Sequence, residues 1–233
     1  MDSLQINVYP IIEEFSGEYA EFCVRPAELP KWLKDSANYI GNPRDKTKLR
    51  HRMTVKKCMP VFDFYTTGIQ LHLPATMIFE GKYPNRSIDY PAEIPGSRLS
   101  SHNPQQRQKM PIDSTWEDHT YKLEFPYYIE SPKGYSALYV PAKPYEDFPL
   151  HFLPAIVQVD KYKSSVNFPF FASKNFTGDI EAGTHFMSIF FVKRHRLELN
   201  YKSYAEGIKA TSATSSMVHN WGRGFYKKLR DIV

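Results

Sequence analysis

From Phe125 to Arg194 the chain runs in short stretches of branched and aromatic residues: "FPYYIESPKGYSALYVPA", "FPLHFLPAIVQVD", "SSVNFPFF" and "HFMSIFFVKR". A period of two puts every second side chain on one face of a strand, and β-branched and aromatic residues pack well on that pleated surface. Turn signals separate the runs. Pro132 and Gly134 fit the second and fourth places of a type I turn, and Gly183 lies in "IEAGTH". Such runs fold by pairing and burying one face, so the stretch predicts a mainly β domain. Val166, Phe168 and Phe170 share the core face, and Pro169 predicts that their strand is an edge or bulged there.

The upstream half carries weaker signals. Ile6 and Val8 alternate with Gln5 and Asn7 in a short strand ended by Pro10. Pro30 starts a single helical turn that Trp32 and Leu33 pin down, because proline loses nothing where the first N–H has no helical partner. Pro60 begins a short helix and Gly68 ends it, before a strand with Ile69, Leu71 and Leu73 on one face and Gln70 and His72 on the other. Residues 82–120, rich in proline and polar residues, read as a long loop and a candidate interaction element. The organisation expected is a β-rich domain over 1–195 with short helical decorations, then an extension over 196–233. That extension is expected to hold a helix from Ser215 or Ser216 through Leu229.

There are 16 Tyr and 16 Phe, and 18 Pro against 11 Gly, which suits short strands and proline-punctuated loops. The net charge of +5 is uneven: 31–60 hold nine bases against two acids, and 193–233 nine against three. These runs read as solvated surface rather than a nucleic-acid face, for no aromatic stacking module accompanies them. The acidic start does not read as a leader, no apolar run has the length of a membrane span, and two cysteines do not make a disulfide scaffold. A reducing cytoplasm is the compartment expected.

Catalytic signatures are scarce. No G-x-S-x-G, phosphate loop, dinucleotide fingerprint, H-E-x-x-H or C-x-x-C occurs, and His102 and His119 lack partners at metal-ligand spacing. His185 and His195 have no third ligand in view. His72 reads as the polar face of its strand. Neither metal nor cofactor is expected. "IVQVDKYKSSVNFPFF" poses the sharpest question: Asp160 is either a turn residue bonded locally or a catalytic carboxylate.

Two family resemblances bear on this. "LPKWLK", "KKCMPVFDFYTTGIQLHLP", "ESPKGYSALYV", "VNFPFF", "IEAGT" and "FVKR" resemble, in order and spacing, an uncharacterised family of T4-like cyanophages, covering about 31–193. That resemblance implies a phage or prokaryotic origin; a phage-encoded protein is expected, present in the host cytoplasm during infection or in the virion. Over about 140–192 the chain also resembles the second half of the dUTPase and dCTP-deaminase barrel, the β-clip fold. "VPAK" stands at the phosphate-gripping place, "VQVDKY" at the hairpin and "DIEAGTHFMSIFF" at the return strand. The resemblance implies a nucleotide held against Tyr135, Tyr139 and Tyr162, with Lys143 at its phosphates and Asp160 as the acid. The chain departs from that family where it counts: Ala142 and Lys143 replace the phosphate-binding Arg and Ser, and Asp160 and Tyr162 stand one residue closer than in the motif. A triphosphate needs several convergent cations, and one lysine is too few. The fold expected is a distorted β-barrel or β-clip. The function expected is a non-enzymatic virion or assembly component that binds phage structural proteins or itself, with nucleotide binding or hydrolysis as the alternative.

Overall fold

The structure is a computed structural model and describes residues 3–41, 53–91, 97–107, 109–142 and 148–208. Lys143, the tail helix expected from Ser215 onward and residues 42–52 of the basic segment lie outside the described residues. The chain forms β1 (Asn7–Pro10), α1 (Glu18–Cys23), β2 (Val24–Pro26), α2 (Lys31–Asp35), α3 (Met59–Thr66), β3 (Ile69–His72), β4 (Met77–Glu80), β5 (Ser87–Asp89) and β6 (Leu99–Ser101). It continues as β7 (Tyr121–Glu124), β8 (Tyr127–Glu130), β9 (Tyr135–Pro141), β10 (Leu150–Phe152), β11 (Ala155–Val157), β12 (Asn167–Ala172), β13 (Gly178–Ile180) and β14 (His185–Lys193). The protein is mainly β. Its described strands form four antiparallel sheets, β1-β8, β10-β12-β7-β6, β11-β9-β14-β3-β2 and β13-β4-β5, and do not close into one barrel.

By compactness the described residues fall into two units, Met1–Glu28 with Thr67–Arg194, and Leu29–Thr66 with His195–Val233. In the second unit Pro30 caps α2, Leu33 is buried, and Trp32 meets Tyr65 of α3 edge to face, with ring centroids 5.7 Å apart. Lys56 donates its ammonium to the carbonyls of Lys34 and Ser36, which α2 leaves without a helical partner at its end.

The first unit holds the aromatic core. Phe186 of β14, Phe125, Phe152 of β10 and Phe168 of β12 are buried together, and Tyr139 of β9 joins them through Phe168, 5.6 Å away. A register shift on β14 helps to fill this core. His185 pairs with His72 and Met187 with Leu71, so Phe186 has no partner across on β3. Such a bulge re-aims side chains, and here Phe186 and Met187 are buried in succession.

Two local expectations change. β12 is an interior strand, between β10 and β7, not an edge. In an antiparallel strand the N–H and C=O of one residue face the same neighbour. The carbonyl of Pro169 accepts from Leu153, just past the end of β10, so the missing N–H falls where that neighbour stops. The turn before β9 spans Pro132–Tyr135, closed by Tyr135 N–H to the Pro132 carbonyl. Gly134 is therefore its third residue, and its φ of 94° is the positive angle that a type II turn needs there.

The stretch 82–120 is not a bare loop. It contains β5 and β6, and it buries Tyr90, Ser97 and Glu117. Arg86 pairs with Glu117 at 2.9 Å with both side chains almost wholly buried, and the same guanidinium donates to the carbonyls of Ser173 and Lys174. Among the described residues no helix is long and apolar enough to cross a membrane.

Candidate functional site

Asp160 sits in the turn after β11, with its side chain 3% exposed. Its Oδ1 accepts from Arg194 Nη1 at 2.8 Å, and its Oδ2 accepts from Arg194 Nη2 at 2.5 Å and from the Gly134 N–H at 2.9 Å. Two parallel N–H···O bonds between a guanidinium and a carboxylate make the most directional ion pair available to side chains. Arg194 Nη1 also reaches the Tyr135 carbonyl and Ser136 Oγ, while its backbone N–H donates to Gly134 O. One carboxylate thus ties together the turn before β9, the turn after β11 and the end of β14.

Hydrogen bonds from Arg194 first, then from Gly134, hold the Asp160 carboxyl well below the usual carboxylate range. A carboxylate so stabilised is a poor proton acceptor, and both its oxygens are engaged. Beside it opens a cleft of about 510 Å³, bordered by Gln5, Asn7, Glu130, Lys133 and Lys161. Glu130 is itself engaged, accepting from the Tyr9 hydroxyl and pairing with Lys163.

Tyr135, Tyr139 and Tyr162, the tyrosines expected around a nucleotide, have different settings. Tyr139 is buried in the aromatic core, and burial pushes its hydroxyl far up. Tyr135 contributes its carbonyl to Arg194. Tyr162 is half exposed, with its hydroxyl turned to the Ser165 carbonyl at 3.5 Å. Lys143 lies outside the described residues.

A second polar cluster lies on the five-stranded sheet. His72 and His185, opposite one another on β3 and β14, stack with ring centroids 5.3 Å apart. His72 Nδ1 contacts the Gly183 carbonyl at 2.8 Å; a carbonyl only accepts, so Nδ1 carries the proton and Nε2 the lone pair. That Nε2 is buried without a hydrogen-bond partner, and burial lowers the His72 pKa; the Gly183 hydrogen bond opposes it, Arg25 acts with burial and Glu28 against it. Ser188 Oγ is 3.2 Å from His185 Nε2, which also lies 3.2 Å from the Met187 carbonyl. A proton on Nε2 satisfies that carbonyl, and in that tautomer the imidazole donates and does not take the serine's proton.

Both thiols are free. Cys23 is buried, which pushes its thiol up to about 12, and Cys58 is exposed. Among the described residues no three His, Cys, Asp or Glu side chains gather as a metal site.

What the sequence reading missed lies beyond β14. Residues 195–203 form no helix or strand, yet "RLELNYK" alternates as a strand does. Leu197, Leu199 and Tyr201 are 85%, 77% and 92% exposed. The L-x-L-x-Y period was the available signal. For Arg194 no local signal existed, since it lies 34 positions from its acid.

No protein-family model matches this chain, and neither curated proteins nor solved structures give a significant match.

Proposed function

We propose that this is a non-enzymatic, phage-encoded assembly protein, a virion component or a partner of one, that works by protein–protein contact. The observation that carries the reading is the row Leu197, Leu199 and Tyr201, almost fully exposed on a segment with strand periodicity. Apolar side chains at adjoining alternate positions are costly in water and mark a surface that another protein covers. The engagement of both Asp160 oxygens by Arg194 and Gly134 supports the non-enzymatic side of the reading. The phage origin rests on the family resemblance over residues 31–193. A distorted barrel or β-clip ancestry is part of the same proposal, supported by the resemblance over 140–192 and by the β9–β14 pairing.

A second reading is a nucleotide-binding protein of that ancestry. The cleft beside Asp160, with Lys133 and Lys161 at its border, is the observation in its favour. The test of the first reading is mass spectrometry of purified particles from infected cells. The chain is expected there in a fixed ratio to a structural protein; its absence from particles and from every assembly intermediate would overturn the reading.

A further inference from the structure

Asp160 joins two turns, and each of them carries a lysine. Lys133 precedes Gly134, whose N–H donates to Asp160 Oδ2 at 2.9 Å, and Lys161 follows Asp160 directly. Tyr135 N–H closes the first turn on the Pro132 carbonyl, and Lys161 N–H closes the second on the Gln158 carbonyl. The backbone under both lysines is therefore fixed, and their exposed side chains border one cleft of about 510 Å³.

Charge around this cleft does not cancel. Its two carboxylates are already engaged, Glu130 by Lys163 and Asp160 by Arg194. Among the described residues neither Lys133 nor Lys161 has an ion-pair partner. Lys133, Lys161, Lys163 and Arg194 thus stand against Glu130 and Asp160, an excess of two positive charges. Gln5 and Asn7 add two primary amides to the border. Asn7 lies opposite Glu130, and two positions along the same face Tyr9 lies opposite Tyr128. These two rings stack with centroids 4.7 Å apart, and Tyr9 is 36% exposed, so an aromatic surface adjoins the charged cleft.

We propose that this cleft docks a short acidic segment of a partner protein, with Lys133 and Lys161 each taking one of its carboxylates. This names the partner chemistry of the protein-contact reading and rests on it. The excess of two charges matches two carboxylates, whereas most of a triphosphate's charge would stay uncompensated. Arg194, whose planar fork suits a phosphate, is committed to Asp160. Primary amides both donate and accept, as a peptide main chain does, so Gln5 and Asn7 suit a peptide. Residues flanking the acids then lie against Tyr9 and Tyr128, and aromatic side chains are enriched at such contacts. Asp160 acts here as a positioning residue, holding the two lysine-bearing turns together. Complementary charge of this kind steers encounter and fixes register more than it adds affinity, so the contact is expected to be salt-sensitive.

The test is a titration of the purified full chain with a capped tetraglutamate peptide, read from backbone NMR shifts at low and at high salt. Capped tetraglutamine and inorganic triphosphate are run beside it. The variants are Lys133→Glu combined with Lys161→Glu, and Lys82→Glu, an exposed lysine outside the cleft's lining. All three positions are exposed, and an unchanged urea midpoint shows that the fold is kept. Saturable shifts around Gln5, Asn7, Lys133 and Lys161 are expected with tetraglutamate, weakened by salt and by roughly tenfold or more in the double variant. Lys82→Glu should bind as the parent does. No saturable shift at the cleft overturns the inference, as does binding that the double variant leaves unchanged or that tetraglutamine matches. Triphosphate binding there more tightly than tetraglutamate overturns the peptide assignment in favour of the nucleotide reading. A chain found in purified particles that ignores tetraglutamate would end this inference and leave the contact reading standing. Tetraglutamate bound by a chain absent from particles and assembly intermediates would support the cleft assignment while the virion reading fell.

Discussion

Phe186 offers the clearest test of whether the interior is packed. Its ring is fully buried, with centroids 5.0 Å from Phe152, 5.3 Å from Phe168 and 5.9 Å from Phe125. Phe186→Ala removes the whole ring from the centre of that group. Loss of its transfer free energy costs about 2 kcal/mol. A residual hole of roughly 100 Å³, at about 24 cal/mol per Å³, adds about 2.4 kcal/mol if its neighbours do not collapse. The expected loss is therefore about 4 kcal/mol, which for a chain of this size lowers Tm by about 8–16 °C. Urea unfolding followed by near-UV circular dichroism measures it, with an unchanged m value showing that only stability has moved. Benzene should recover part of the loss, since an apolar cavity of this kind stays dry and takes up small aromatics. A loss under about 1 kcal/mol would mean that the ring faces space in the native protein, and the filled interior would have to be given up.

Two further outcomes follow from single residues. Gly68 and Gly134 both have positive φ, 83° and 94°, but a Cβ on Gly68 would lie 2.0 Å from the Ile189 carbonyl oxygen, whereas Gly134 has open space. Gly134→Ala is expected to cost about 1–2 kcal/mol from the backbone alone, and Gly68→Ala distinctly more, because β3 must move from β14; equal losses in thermal unfolding would refute the close approach. The second outcome concerns His72, whose folded pKa is lowered by burial. Its contribution is fully present above the unfolded value of about 6.5 and is lost as pH falls through the lower folded value, since the unfolded chain binds the proton first. Stability by urea titration should therefore fall below about pH 6.5 less steeply in His72→Gln than in the parent, and identical slopes would show that the ring is not held neutral.

How far the sequence foretold all this depends on the range of the interactions. The β9 alternation, the strand character of β14, the helix between Met59 and Thr66 ended by Gly68, and the core positions Phe168 and Phe170 were legible, because period and turn chemistry are local. The edge position expected of Pro169 failed for a reason no local rule contains: β10 ends where the missing N–H points. Arg86 and Glu117 lie 31 positions apart in a stretch that reads as polar loop, and only the fold shows them buried together. Asp160 was legible as a turn acid, but its engagement was not, since Arg194 arrives from the far end of another strand. The alternation at 197–201 was written in the sequence, but its exposure shows only once the sheet is seen to end at Lys193.

If this chain makes contacts rather than chemistry, as proposed, Asp160 is held by Arg194 instead of by a substrate. Thermal unfolding in the presence of dUTP, dCTP and Mg²⁺, run beside an assay for released pyrophosphate or ammonia, tests it most directly. An unmoved melting temperature and no product from either nucleotide are the expected result. A saturable rise in melting temperature, with turnover that Asp160→Asn abolishes while binding persists, would contradict it.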